Sequence, residues 1–422
     1  MKILQINASY KPAYIYGGPT MSVAKLCEEI STHCLPDKQA FSLIERLKTG
    51  EGSGKAKVRS LKTKIESGFA SAHLNVKLIV YTTLANGKEE LPYLAGEEKI
   101  VDGVLVKYFK RLTKDHSHFS PSLLWHLWKT VKQYDVVHVH AWWNLVSVLS
   151  CWIAVLRGVP VLLTPRGTMS PYSFQQNQSF FKRIFHSFLG KPILSKLHYH
   201  LTSLKEKEDT MKLFSGKSFT MIPNFVQLSD NVTNHIDFTE GALRLLFFSR
   251  IEKKKGIELL FESLHEIGTP FHLTIAGSGD FDYIASLKIL AAEKGIADCL
   301  TWLGQISPDV KFNIMASHHL LVLPSWDENF ANVIIESLSV NTPVLISDMV
   351  GLAPYVLEHG LGWVSIRNSH SFKKQLFEIG NHRGLLAEIA THSRQQIMKD
   401  FEVNQLRNQY IQLYIKIIHE SV

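Results

Sequence analysis

Two glutamates eight positions apart carry the most pointed chemistry in the chain, in Leu323-Pro-Ser-Trp-Asp-Glu-Asn-Phe-Ala-Asn-Val-Ile-Ile-Glu-Ser337. Glu328 stands in a short polar loop after an apolar run, and Glu336 follows about two helical turns later. A helix opening near Asn332 leaves backbone N–H groups around Ala331 and Asn332 without intrahelical partners, and such groups attract an anion such as phosphate. Ordinary carboxylates flanking a helix would have the same spacing. A second pattern, Leu246-Phe-Phe-Ser-Arg-Ile-Glu-Lys-Lys-Lys-Gly256, sets Arg250 just after an apolar run and Lys255 just before a glycine. The arginine fork and the lysine point charge would together clamp a diphosphate. The alternative is a solvated basic turn, which is the reading for Lys253 and Lys254.

Three weaker patterns accompany these. In Tyr16-Gly-Gly-Pro-Thr20, Gly17 and Gly18 let a backbone approach a ligand closely, without the full glycine pattern of a dinucleotide site. Ala276-Gly-Ser-Gly-Asp280 is a similar turn, and Asp280 with Asp282 reads as helix capping rather than a metal site. Asp135-Val-Val-His-Val-His140 puts His138 and His140 on one strand face, followed by Trp142 and Trp143. That group suits sugar stacking on an acceptor side, or else histidines satisfied by packing or water. A metal pair would need a third ligand, and none stands nearby. Arg166 follows the next apolar run in Thr164-Pro-Arg-Gly-Thr168. A buried arginine there needs an anion, which is either substrate or a distant carboxylate.

These residues need elements to hold them at strand ends. Apolar β-rich runs recur at Lys2–Ile6, Val76–Tyr81, Val104–Phe109, Val136–Val139, Val161–Thr164, His198–Thr202 and Phe219–Ile222. The series restarts at Leu243–Phe248, His272–Ala276, Leu300–Leu303, Leu320–Leu323, Val344–Ser347 and Gly362–Ser365. Helical periodicity lies between them, at Met21–Ser31, Leu123–Lys132, Leu145–Leu156 and Ser203–Leu213. The alternation predicts an α/β protein of two doubly wound, parallel-sheet halves. The polar stretch Gln227–Gly241 reads as a linker between them. Val403, Leu406, Tyr410, Leu413 and Ile417 form an apolar helical stripe that needs another surface to cover it.

The 422 residues, 45% hydrophobic and 20% charged, describe a globular chain large enough for two or three domains without disulfide staples. Cys27, Cys34, Cys151 and Cys299 show no paired or metal-ligand spacing, so reduced thiols are expected. The first residues turn polar too soon for a signal peptide. The uncharged run Ala141–Leu156 is shorter than the ~20 residues a spanning helix needs, so a buried helix and then a strand are expected in a soluble, cytoplasmic protein. A net charge of +8 favours anionic partners. Neither zinc-finger spacing nor an RNA-binding aromatic signature is present, so nucleic acid is not expected among them. Arg46 to Lys64 holds Arg46, Lys48, Lys55, Lys57, Arg59, Lys62 and Lys64 against Glu51, interleaved with glycine. It reads as a basic surface excursion, either plainly solvated or touching an anionic membrane or acidic acceptor.

Taken together, Glu328 with Glu336, Arg250 with Lys255 and Gly256, and Gly17 with Gly18 resemble the family 4 retaining glycosyltransferases of the GT-B type. The likeness extends through Ile222-Pro-Asn-Phe-Val226 and the C-terminal helix. It implies two Rossmann-like domains facing across a cleft: an acceptor domain over residues 1–226 and a donor domain over 227–402, with a helix over 403–422 crossing back to the first. By that resemblance Glu336 holds the nucleotide ribose. Arg250 and Lys255 hold the diphosphate with help from Gly17, Gly18 and the amides near Ala331 and Asn332. Glu328, with the backbone at Asn329 and Phe330, holds the donor sugar, and Asn224 joins the donor site. The family's common Gly-Phe-Gly is Asn329-Phe330-Ala331 here, and its frequent histidine is Arg166.

The implied activity transfers a sugar, with retention, from a nucleotide-diphosphate donor, UDP-sugar before GDP-sugar. The acceptor would be a glycan or polyprenyl-linked lipid in bacterial surface polysaccharide or glycolipid assembly. Neither metal nor other cofactor is expected, because fixed cations and helix dipoles can stabilise the leaving diphosphate. The expected setting is the cytoplasm, with peripheral contact at the inner face of the plasma membrane. A non-catalytic nucleotide-sugar binder and a phosphorylase-like enzyme of the same fold are the alternatives.

Overall fold

The computed structural model describes residues 1–31, 76–175, 187, 190–229 and 236–421. The basic stretch Arg46–Lys64 lies outside these residues, as do positions 230–235 of the polar segment. The chain divides into two compact units, Met1–Phe225 with Val403–Val422, and Val226–Glu402.

Among the described residues the first unit has ten strands: β1 (Lys2–Asn7), β2 (Lys77–Thr83), β3 (Ala85–Asn86), β4 (Glu89–Glu90), β5 (Glu98–Val101), β6 (Val104–Phe109), β7 (Val136–His140), β8 (Val161–Thr164), β9 (His198–Leu201) and β10 (Ser218–Met221). Eight of them form one sheet in the order β10-β9-β8-β7-β1-β2-β6-β5, and β3 pairs with β4 separately. Every ladder in the large sheet is parallel except β5 with β6. Parallel strands are covered on both faces, which is why β7 and β8 bury all their residues, histidines included. The order reverses around β1, with β2 on one side and β7 on the other, so the switch point of this sheet lies between β1 and β7.

Helix caps follow from local sequence. Ser120, Asn144 and Ser203 each accept a backbone N–H at the start of Pro121–Thr130, Leu145–Leu156 and Leu204–Leu213. The second of these helices buries Val146, Val148, Cys151 and Ala154 in the core with Leu4, Val137, Trp142 and Leu163. The apolar run from Ala141 is thus a turn and a buried helix followed by β8. No described helix is long and apolar enough to cross a membrane. The final helix, Val403–His419, packs within the first unit, burying Leu406, Tyr410, Leu413, Tyr414 and Ile417. Arg407 fastens it, donating to the carbonyl of Glu29 at 2.9 Å and pairing with the Glu29 carboxylate at 3.2 Å.

The second unit has a six-stranded, all-parallel sheet: β11 (Leu243–Phe248), β12 (Phe271–Ala276), β13 (Leu300–Gly304), β14 (Leu320–Leu323), β15 (Val344–Ser347) and β16 (Gly362–Ser365). Their order is β13-β12-β11-β14-β15-β16, so this sheet switches between β11 and β14. The strand positions match the apolar runs to within two residues. Among the described strands only β3, β4 and β5 escape the pattern, because they are short, charged or at an edge; Ile100 of β5 is 78% exposed. Both halves are Rossmann-like.

Candidate functional site

Ligands of open α/β sheets bind beyond the carboxyl ends of strands at the switch point. In the second unit that point is where the loops after β11 and β14 meet. Gly256 makes the meeting close: its φ is +72°, and a Cβ there would lie 2.3 Å from the Pro324 carbonyl oxygen. Trp326 N–H donates to the Lys254 carbonyl at 2.9 Å. Lys255 and Glu328, from the two loops, form an ion pair in which both side chains are nearly buried. Ser325 Oγ lies 3.4 Å from the same carboxylate oxygen. Glu328 is anchored on its other side by the loop after β15, its N–H donating to the Met349 carbonyl and its own carbonyl accepting from Gly351.

Around this pair the expected residues separate. Glu336, in the helix Asn332–Leu338, pairs with Lys311 at 2.8 Å, a partner that sequence spacing gave no reason to name. Arg250 is half exposed, and its guanidinium lies 3.2 Å from Glu252. Lys254, expected to be simply solvated, pairs at 3.5 Å with the nearly buried Asp327. Asp280 caps its helix by accepting from Tyr283 N–H, as the capping reading requires. Gly277 and Gly279 serve backbone approach: a Cβ at either would strike the carbonyl oxygen of Ser249 or Ile251.

Ala331 holds φ +62° at the head of its helix, a left-handed conformation that suits glycine. The backbone therefore keeps a glycine-like turn although the residue is alanine. Phe330 is buried, and its ring meets Phe401 edge-on, 6.2 Å between ring centres. Asn329 precedes this turn in the loop, and Asn332 opens the helix after it.

In the first unit, Gly17 has φ +66° and closes the turn Tyr14–Tyr16, and Gly18 opens the helix Gly18–Ser31 after β1. The acceptor-side assignment of His138, His140 and Trp142 is corrected. All three are fully buried, so none is placed to stack on a sugar. Trp142 belongs to the core, and the histidines bond to Tyr414, Thr164 and Gln5. Burial holds His138 and His140 well below the usual imidazole range and His200 at about 3. The last helix supplies the missing signal: a tyrosine stripe long in sequence from the strand it touches.

Arg166 follows β8 with φ +52° and is partly buried. Its Nε donates to His140 Nδ1 at 3.3 Å and its Nη1 to Asn224 Oδ1 at 2.8 Å. Asn224, expected at the donor, thus has its amide oxygen on Arg166. Glu206 lies near but accepts from Gly167 N–H and from the Thr202 backbone and hydroxyl. Burial opposes the guanidinium charge and lowers its pKa. No ion pair to Arg166 forms among the described residues, although the Glu206 carboxylate favours its charge through space.

Two Rossmann-like units with these loops define a GT-B glycosyltransferase fold. Sucrose-phosphate synthase from Thermosynechococcus elongatus shares it at TM-score 0.69 and 17% identity, over 98% of both chains. HepE from Anabaena, solved with UDP and glucose, shares it at TM-score 0.68 and 16% identity, over 98% of this chain and 99% of that one. Residues 69–230 match Glycosyltransferase Family 4, and residues 231–396 match Glycosyl transferases group 1. The chain belongs to this glycosyltransferase family. The O-antigen chain mannosyltransferase RfbU of Salmonella typhimurium is 23% identical over 209 residues, 49% of this chain and 58% of the relative. The chain spans about half the length of the curated relatives it matches.

Proposed function

We propose that the protein is a retaining, metal-independent glycosyltransferase that moves a sugar from a nucleotide-diphosphate donor to a glycan or polyprenyl-linked acceptor. The observation that carries this reading is the Lys255–Glu328 pair at the β11/β14 switch point, with Glu336 on the helix that follows. Lys255 and Arg250 supply the positive charge that a departing diphosphate needs, so no metal is required for that step. Glu328 accepts from the donor sugar's hydroxyls and Glu336 from the ribose. The anomeric carbon–phosphate oxygen bond breaks as the acceptor oxygen attacks from the same face. The acceptor proton passes to the departing phosphate oxygen, so no protein base is needed. Arg166 acts on the substrate, its guanidinium bonded only to the uncharged side chains of His140 and Asn224.

UDP-sugars are the first donors to test, since HepE was solved with UDP and glucose, and GDP-sugars are the second. The O-antigen mannosyltransferase among its relatives supports a place in surface polysaccharide or glycolipid assembly. Peripheral contact with anionic lipid belongs to the same proposal. It is supported by the net charge and by exposed Trp125 and Trp128, with Lys129 and Arg157 over their rings. The deciding assay follows nucleoside diphosphate release across UDP- and GDP-sugars, with and without lipid-linked acceptors, before and after EDTA. Release that needs no added metal supports the proposal. Binding without release would mark a non-catalytic binder, and release that needs inorganic phosphate would mark a phosphorylase.

A further inference from the structure

Beneath Arg166, side chains from β1, β7, β8, β9 and the last helix bond in a single direction of donation. Each proton can be assigned from its partners. Arg166 Nε only donates, so His140 Nδ1 accepts. A neutral imidazole accepting at Nδ1 carries its proton on Nε2, which donates to Gln5 Oε1 at 2.7 Å. The Gln5 amide nitrogen donates to Tyr414 Oη at 3.0 Å. The Tyr414 hydroxyl then donates to His138 Nδ1 at 2.8 Å, and His138 Nε2 to Thr164 Oγ1 at 2.6 Å. Thr164 donates to His200 Nδ1 at 2.8 Å, and His200 Nε2 ends the chain at the Ile222 carbonyl, 2.8 Å away. That carbonyl can only accept, so both ends fix the same direction. Tyr410 lies against His200 and Pro223 at the far end.

The consequence is a neutral seat for a cation. Arg166 is oriented by His140 and Asn224 and receives no negative charge from either. The arrangement holds only while all three imidazoles are neutral, because a protonated His140 would present N–H to Arg166 Nε.

We infer that His140, Gln5 and Tyr414 are positioning residues for Arg166, aiming its guanidinium so that an anionic group of the substrate balances it. The inference rests on the reading that Arg166 acts on substrate. Tyr414 belongs to the last helix, so that helix helps set the aim of a side chain that follows β8.

Tyr414→Phe tests this, since it keeps the ring and deletes one link. The probe is nucleoside diphosphate release from UDP-glucose, or from the GDP-sugar that the wild-type protein turns over. The expected result is a kcat about tenfold lower with donor KM within about threefold, as for a small misplacement of a transition-state donor. In an Arg166→Ala background the same substitution should change kcat less than about twofold, because coupled residues do not add. Equal effects of Tyr414→Phe in both backgrounds would overturn the positioning role. The nitrogen NMR spectrum of histidine-labelled wild-type protein tests the relay itself: His138, His140 and His200 should be neutral and protonated on Nε2. A His140 protonated on Nδ1 overturns it, even if Tyr414→Phe fails to fold. Unchanged turnover in Arg166→Ala removes the substrate role instead, a failure the NMR result keeps distinct.

Discussion

Gly256→Ala should weaken both the second unit and its chemistry, and one contact sets the size. The new Cβ would lie 2.3 Å from the Pro324 carbonyl oxygen and 3.2 Å from its carbon. Non-bonded carbon contacts want ~3.5 Å, so the loops after β11 and β14 must part by about 1 Å. Alanine at φ +72° costs ~1–2 kcal/mol, and overpacking against a fixed backbone adds ~1–3 kcal/mol. The stiffer unfolded chain returns ~0.4–1 kcal/mol, leaving a loss of about 3 kcal/mol. Parting the loops also draws Lys255 from Glu328, and a 1 Å misplacement lowers turnover by about 10²-fold. Gly295→Ala is the control, with φ +67° but no atom within 4 Å of the new Cβ. By the same balance it should lose only about 0.5–1 kcal/mol and keep its turnover. Urea unfolding and donor turnover measured on the same preparations decide the matter. A Gly256→Ala protein within about 0.5 kcal/mol and threefold of wild type would refute the reasoning, since surface changes without strain or overlap fall in that range.

Other substitutions and conditions give outcomes of their own. Glu336→Gln should weaken nucleoside diphosphate binding, whereas Glu328→Gln should reduce turnover more than binding; equal affinity losses by calorimetry contradict the assignment. Ala331→Gly should stabilise the second unit by ~0.5 kcal/mol, because relief of left-handed strain exceeds the added chain entropy; a destabilised variant contradicts this. The buried histidines predict acid sensitivity. Their folded pKa values lie below ~6.5, so above that pH both states are neutral, and below it the unfolded chain takes up protons first. Stability of the first unit should fall as pH drops from ~6.5, by about 4 kcal/mol for His138, His140 and His200 together between pH 7 and 5.5. Unfolding of that unit with no pH dependence over this window would show that the histidines are not held neutral.

What the sequence revealed was what short range determines. Apolar runs such as Leu320–Leu323 read as parallel strands because both sheet faces are covered, and periodicity located the helices that the structure shows capped by Ser120, Asn144 and Ser203. Lys255 and Glu328 could be named separately, since each sits at a strand-to-helix turn. Their pairing needs the crossover that places β14 beside β11, which no local window contains. The same limit explains the errors. Alternation put His138 and His140 on one face, correctly, but whether that face meets solvent depends on Tyr410 and Tyr414, more than 250 residues further on. Once that helix covers β7, an unpaired imidazole would be costly, and Gln5, Thr164 and Tyr414 are what make the histidines tolerable there. A polar strand face inside the protein is therefore informative in itself. With His138 and His200 satisfied by neutral partners and His140 accepting from the guanidinium itself, the charge at the end of the relay is that of Arg166.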